Sequence, residues 1–130
     1  MINSIDHIVL YSSNVKKTIS FYCDVLGMTL EEFIPSDKKG FRKSLKFGNQ
    51  KINLHDANSP YKPHSLNPVS GSLDICFLSS TKIEQWEKIF KKNNIFIEDG
   101  PVKKTGATDK IISLYVRDPD DNLIEISNKI

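Results

Sequence analysis

A chain of 130 residues has room for one proper hydrophobic core and not for two independent ones, and 38% hydrophobic with 26% charged residues excludes a disordered or fibrous protein. No apolar run reaches membrane-spanning length, and 18 basic against 16 acidic side chains give a net charge of only +2, too little to draw the chain to nucleic acid or an anionic membrane. Two cysteines make no disulfide framework, so Cys23 and Cys76 read as small buried residues of a reducing compartment, and the N-terminus enters a strand without an export signal, which implies a cytoplasmic protein.

In chain order, the first expected strand is Ile5 to Tyr11, apolar and β-branched, with His7 on the same face as Ile5 and Val9. Ser12-Ser13-Asn14 offers helix caps, and Val15, Ile19, Tyr22, Cys23 and Leu26 form a stripe that predicts a helix over 15–26, stopped at Gly27. Three strands follow, Thr29 to Ile34, Phe41 to Phe47 and Lys51 to His55, split by the turns Pro35-Ser36-Asp37 and Gly48-Asn49. A polar stretch over 58–71, with Pro60, Pro63 and Pro68, reads as a linker. The same order then begins again. Leu73 to Leu78 is a strand, and Ser79-Ser80-Thr81 caps a helix over 81–93 marked by Ile83, Trp86, Ile89 and Phe90. Strands are expected at Ile95 to Glu98, Ile111 to Val116 and Leu123 to Ser127. The lysine doublets Lys38-Lys39, Lys91-Lys92 and Lys103-Lys104 lack interleaved aromatics and read as solvated surface.

The chain is therefore expected to be a single α+β domain of two βαβββ modules, about 1–56 and 71–130, joined by a linker over about 57–70. Neither module closes its sheet alone, so the two should pair into an open, cup-shaped mixed sheet.

Chemistry-bearing residues recur at matching places in the repeat. Glu125 is a lone carboxylate in the apolar strand Leu123-Ile124-Glu125-Ile126, and His7 a lone imidazole in the first strand. Setting the first strands of the two halves over each other places His7 opposite Asp74; setting the last strands over each other places Asn53 opposite Glu125, with His55 two residues on along the same face. Singly, a strand histidine is most often a hydrogen-bonded core residue and a strand glutamate an edge charge; the combination points to a site. Alternation makes Phe47, Cys76, Tyr115 and Arg117 candidate lining residues. The segment 103–108, with Thr105, reads as a hydroxyl-bearing loop fit to close over a ligand. Arg42 or Arg117 is the candidate to clamp a carboxylate or phosphate.

Two segments carry a family likeness. Phe21-Tyr22-Cys23-Asp24-Val25-Leu26-Gly27-Met28 resembles an "FY-x-x-x-LG(M)" helix end, and Arg117-Asp118-Pro119-Asp120-Asp121-Asn122-Leu123-Ile124-Glu125 resembles a "DPDGN-x-x-E" signature. Both are similar to the glyoxalase/bleomycin-resistance/extradiol-dioxygenase group, the vicinal oxygen chelate superfamily, and the resemblance spans the whole chain. Within it, Lys51 to His55, Gly71 to Phe77 and Gly100 to Ala107 look like the small glyoxalase-domain proteins. The resemblance implies a divalent metal, Mn, Fe, Ni, Zn or Mg, on the floor of the cup. It places His7, Asp74 and Glu125 at ligand positions, with Glu125 also catalytic and Asn53 or His55 as fourth ligand or substrate contact. Asp74 stands where the family most often has His, which hardens the ligand set. The implied activity is glyoxalase-type, lyase-like Lewis-acid chemistry on a small oxygen-rich substrate, in a homodimer. The alternatives are a non-catalytic drug-binding protein of the bleomycin-resistance type and an extradiol dioxygenase.

Overall fold

The computed structural model describes residues 1–37 and 40–130; the Lys38-Lys39 doublet lies outside the described residues. The chain divides into two compact units, Met1–Ser72 and Leu73–Ile130.

In the first unit, strand β1 (His7–Ser12) leads into helix α1 (Val15–Ile19), and strands β2 (Thr29–Phe33), β3 (Arg42–Phe47) and β4 (Gln50–Asp56) follow. Asn14 caps α1 by accepting the Lys17 backbone N–H at 3.1 Å. The helical region covers the expected stripe, but beyond Ile19 it widens to a π-helical segment, Ser20–Val25, which seats Phe21 and Tyr22 in the core. Gly27 ends it at φ +80°, a conformation that favours glycine. The sheet order is β1-β4-β3-β2, with β1 parallel to β4 and the other pairs antiparallel. Leu10, Leu45, Ile52 and Leu54 are buried on one face, and His7, Val9, Tyr11, Asn53 and His55 alternate onto the other. The first strand starts at His7, not Ile5, which is exposed.

In the second unit, strand β5 (Asp74–Leu78) leads into helix α2 (Ile83–Lys92), followed by β6 (Asp99–Thr105), β7 (Lys110–Arg117) and β8 (Leu123–Lys129), in the order β5-β8-β7-β6. Ile83, Trp86 and Phe90 of α2 are buried, as are Leu114, Val116, Ile124 and Ile126 of the strands; the Trp86 indole N–H donates to Ser79 Oγ at 3.0 Å. Here one expectation fails. Ile95 to Glu98 is not a strand: the Ile95 N–H bonds back to Phe90 O at the helix end, and Phe96 is exposed. The strand is Asp99–Thr105, where Gly100-Pro101 hid it. Proline removes a ladder donor, but β6 ends the sheet order, and a register shift between Asp99 and Val102 absorbs the interruption.

Each unit is thus a βαβββ module with an open four-stranded mixed sheet, an α+β arrangement. The strand pairing also carries the internal register: Val9 faces Asn53 in one sheet, Cys76 faces Glu125 in the other, and His7 and Asp74 each lie two residues before those pairs. Among the described residues no helix is long and apolar enough to cross a membrane.

Candidate functional site

The segment before Glu125 works as architecture. Asp118 is buried, and its Oδ1 accepts the backbone N–H groups of Asp120 and Asn122 at 2.9 and 3.0 Å while Oδ2 accepts the Asn122 side-chain amide at 2.8 Å. Asn122 Oδ1 in turn accepts the Leu73 N–H at 2.8 Å. This knot ties the entry of β8 to the entry of β5 and so fixes where Glu125 emerges.

Glu125 lies between Cys76 on β5 and Tyr115 on β7. Ser113 Oγ donates to its Oε2 at 2.5 Å, Ser127 Oγ lies 3.2 Å from the same oxygen, and the two serine oxygens are 2.7 Å apart. Each hydroxyl has one proton, so Ser113 gives its own to Glu125 and that of Ser127 is divided between Glu125 and Ser113 Oγ. Burial pushes the Glu125 carboxyl upward, but the hydrogen bonds from Ser113, Tyr115, Ser127 and Cys76 outweigh it and hold the group below the ordinary carboxylate value. Tyr115 answers in the opposite sense: burial, then its hydrogen bond to Glu125 and that residue's charge, push the phenol up to about 12. It stays a donor at any physiological pH.

This carboxylate opens into a cavity of about 460 Å³ in the second unit, lined by Cys76, Leu78, Lys104, Thr105, Ile111, Tyr115 and Lys129 and by the turn at 106–109. Lys129 pairs with Asp109 at 3.2 Å, and the Lys104 ammonium stands 5.8 Å from the centre of the Tyr115 ring. The lining segment expected as a flexible loop is built otherwise: Lys103 to Thr105 belong to β6, and Gly106 donates to Asp109 O at 2.8 Å across a tight turn. A Cβ at Gly106 would lie 2.7 Å from that carbonyl, so only glycine fits. Cys76 is exposed rather than buried, and Cys23 is half-buried. The environment of the Cys76 sulfur, desolvation first, raises its pKa against the Ser127 hydrogen bond, so it remains a thiol.

The structure brings Glu125, Cys76, Tyr115 and Thr105 to one cavity. Asp74 is exposed at the start of β5, opposite Leu123 and diagonal to Glu125. Arg117 does not line the cavity; its guanidinium grips Glu98 at 3.2 and 3.0 Å and donates to Asp121 O at 3.1 Å. Phe47 ends β3 opposite Gln50, on the same side of the strand as Leu45. Sequence reading passed over Ser113 and Ser127, although both lie two residues from a named position, on the same strand faces as Tyr115 and Glu125.

In the first unit, His7 Nδ1 pairs with Asp6 Oδ1 at 2.8 Å, leaving Nε2 as the nitrogen available to a ligand. The hydrogen bond from His7, followed by its charge, lowers the Asp6 pKa. Asn53 Oδ1 and His55 Nδ1 are buried without a hydrogen-bond partner. His55 Nε2 meets the Tyr61 hydroxyl at 2.9 Å, and burial, then the Arg42 charge, pulls its pKa below the ordinary imidazole value.

Within each unit, among the described residues, no three His, Cys, Asp or Glu side chains form a group that could hold a metal ion. The individual donors still suit a hard divalent cation: a carboxylate kept charged at Glu125, and at Asn53 an amide oxygen with no partner.

Comparison with known proteins gives a consistent picture. The family model "Glyoxalase/Bleomycin resistance protein/Dioxygenase superfamily" matches residues 4–126. Virulence protein STM3117 of Salmonella typhimurium is 45% identical over 130 residues, all of this chain and 87% of that protein. Its crystal structure aligns with a TM-score of 0.92 over 100% of this chain and 99% of that one. Glyoxalase domain-containing protein RDO1 of Mycosarcoma maydis is 43% identical over 127 residues, 98% of this chain and 69% of that protein. An integron cassette protein of V. cholerae is 41% identical, with a TM-score of 0.90 over 98% of this chain and 96% of that one.

Proposed function

The chain belongs to the glyoxalase/bleomycin resistance protein/dioxygenase superfamily, and on that footing we propose that it is a divalent-metal-dependent enzyme of glyoxalase type acting on a small oxygen-rich compound. The observation that carries this reading is Glu125, a carboxylate held charged inside a cavity by two serines and a phenol. Its neighbours hold its charge without neutralising it, as a metal ligand requires. The ligand set is the one the family pattern implies, His7, Asp74 and Glu125, with Asn53 or His55 as a further contact. When bound, a divalent ion would supply Lewis acidity to a substrate oxygen, lowering the cost of developing oxyanion or enediolate charge.

The chain's own groups do the rest. Tyr115 donates a hydrogen bond from a phenol that does not ionise, and Lys104, on the cavity wall beside it, offers positive charge to an anionic substrate. Leu78 and Ile111 give the cavity apolar walls. The family pattern further leads us to propose a cytoplasmic homodimer, for which light scattering at micromolar concentration is the check; a monomer there would remove the dimer from the proposal.

The test is turnover. Protein stripped of metal and reloaded separately with Mn²⁺, Fe²⁺, Ni²⁺, Zn²⁺ or Mg²⁺ is screened against α-keto, α-hydroxy and epoxide compounds, with and without a thiol. Turnover dependent on one of these metals and lost in Glu125→Gln supports the enzyme. Saturable small-molecule binding with no turnover under any loading would replace it by a ligand-sequestering protein.

A further inference from the structure

Strand pairing sets four polar side chains in one row across the first sheet: His7, Lys51, Lys46 and Thr29 are successive register partners on β1, β4, β3 and β2. Partners across a ladder leave the sheet on the same side, here from strands about 4.8 Å apart. Lys46 thus stands directly opposite Lys51, an arrangement of like charges that destabilises a sheet. Both lysines are half-buried, and among the described residues neither makes an ion pair. The Lys51 ammonium rests against an aromatic ring instead, 4.7 Å from the centre of Phe33. Glu31, opposite Ser44 on the same face, pairs with neither lysine. The acid that meets the row is Asp6, bonded to His7 at 2.8 Å and almost fully exposed. The hydrogen bond and charge of His7 hold its pKa down first, and the charges of Lys51 and Lys46 add to them.

The second unit solves the same position differently. Its corresponding row is Asp74, Leu123 and Arg117, and the one cation there is held by Glu98 at 3.0 Å. In the first unit the row has two ammonium groups, and β2 sets a hydroxyl, Thr29, opposite Lys46 rather than a carboxylate. Two point charges on flexible stems, with donors in no fixed plane, suit a tetrahedral dianion better than a planar carboxylate, and Thr29 adds a hydroxyl donor.

We propose that Lys46, Lys51 and Thr29 are a binding site for the phosphate group of a small phosphate monoester. The row continues to His7, which makes that monoester a candidate substrate of the proposed enzyme. This link rests on the metal reading given above, whereas the phosphate site itself needs no metal.

Metal-stripped protein in phosphate-free buffer is titrated by calorimetry with glycerol phosphate, inorganic phosphate and acetate at mildly alkaline pH, where the phosphates are dianions. Both phosphates should bind saturably and acetate more weakly. The affinity for glycerol phosphate should fall about tenfold in Lys46→Gln and in Lys51→Gln, and fall with added salt. Lys43→Gln, on the opposite face of β3 and paired with Glu32 at 3.7 Å, should leave it unchanged. Lys46→Gln removes one of two opposed like charges, so without phosphate it should melt no lower than the parent. Absence of saturable phosphate binding, acetate bound as tightly as phosphate, unchanged affinity in Lys46→Gln or Lys51→Gln, or a clear loss of melting temperature in Lys46→Gln would overturn the proposal. Binding of the expected kind with no metal-dependent turnover of a phosphate monoester would uphold the site and remove only its link to catalysis.

Discussion

Ser113 and Ser127 carry no charge, yet they govern the charge of Glu125. Both are fully buried, and their hydroxyls converge on one carboxylate oxygen. A group whose folded pKa lies below its unfolded value adds stability above the unfolded value, about 4.3 for glutamate, and loses it as pH falls through the lower folded value. Metal-free protein should therefore show a Glu125 carboxyl titrating below model glutamate in a carbon-detected NMR titration. Ser113→Ala should move that titration upward. It should also cost about 1.5 to 3 kcal/mol at neutral pH, the range for a hydrogen bond to a charged group, because it strips the shortest of the donors. An unmoved titration would mean that the serines only fill space. The same residues mark how far the site was legible. Glu125, Cys76 and Tyr115 announced themselves as a lone acid, a thiol and an aromatic on predicted strands, whereas serine on a strand has no compositional signal and is found only by counting two residues from a named neighbour.

At the scale of elements, the strands with apolar alternation were readable and the one built from Gly100-Pro101 was not. Strand assignment rests on side-chain pattern, and β6, reading Asp99-Gly100-Pro101-Val102-Lys103-Lys104-Thr105, has almost none; pairing to β7 makes it a strand. Gly100 holds φ +100°, and a Cβ there would collide with the Ser113 backbone oxygen and press on Leu114 Cα. Gly100→Ala should accordingly destabilise by about 2 kcal/mol or more in urea unfolding, since neither contact is to a side chain that can move aside. The turn before β8 offers a second test. Asp121 sits at φ +64°, at the place where the signature has glycine. Asp121→Gly should be close to neutral, relief of the left-handed conformation being offset by glycine's greater freedom when unfolded, while Asp121→Val should cost about 1 to 2 kcal/mol. Equal melting temperatures for the two variants would remove that argument.

For the molecule as a whole, the repeat explains both why the fold was readable and why the chemistry was only half so. Two units with one element order and one register put His7, Asn53, Asp74 and Glu125 at equivalent strand positions, a pattern visible in the sequence before any coordinate. Function departs from the repeat where the two sequences differ. Ser113 and Tyr115 of β7 support a carboxylate in one unit, whereas Arg42 and Ser44 stand at the corresponding places of β3 in the other, Ser44 opposite Asn53. Equivalent scaffolds thus carry cavities lined by different side chains, one around a carboxylate and one around a guanidinium. The central claim, that the Glu125 site is a divalent-metal site, is tested most directly by calorimetric titration of metal-stripped protein with Mn²⁺ and Ni²⁺, comparing the parent chain with Glu125→Gln and with Arg117→Gln as a control outside the cavity. The account predicts about one ion per chain, with affinity reduced at least about tenfold in Glu125→Gln and unchanged in Arg117→Gln. No saturable metal binding by the parent, or equal affinity in Glu125→Gln, would contradict it.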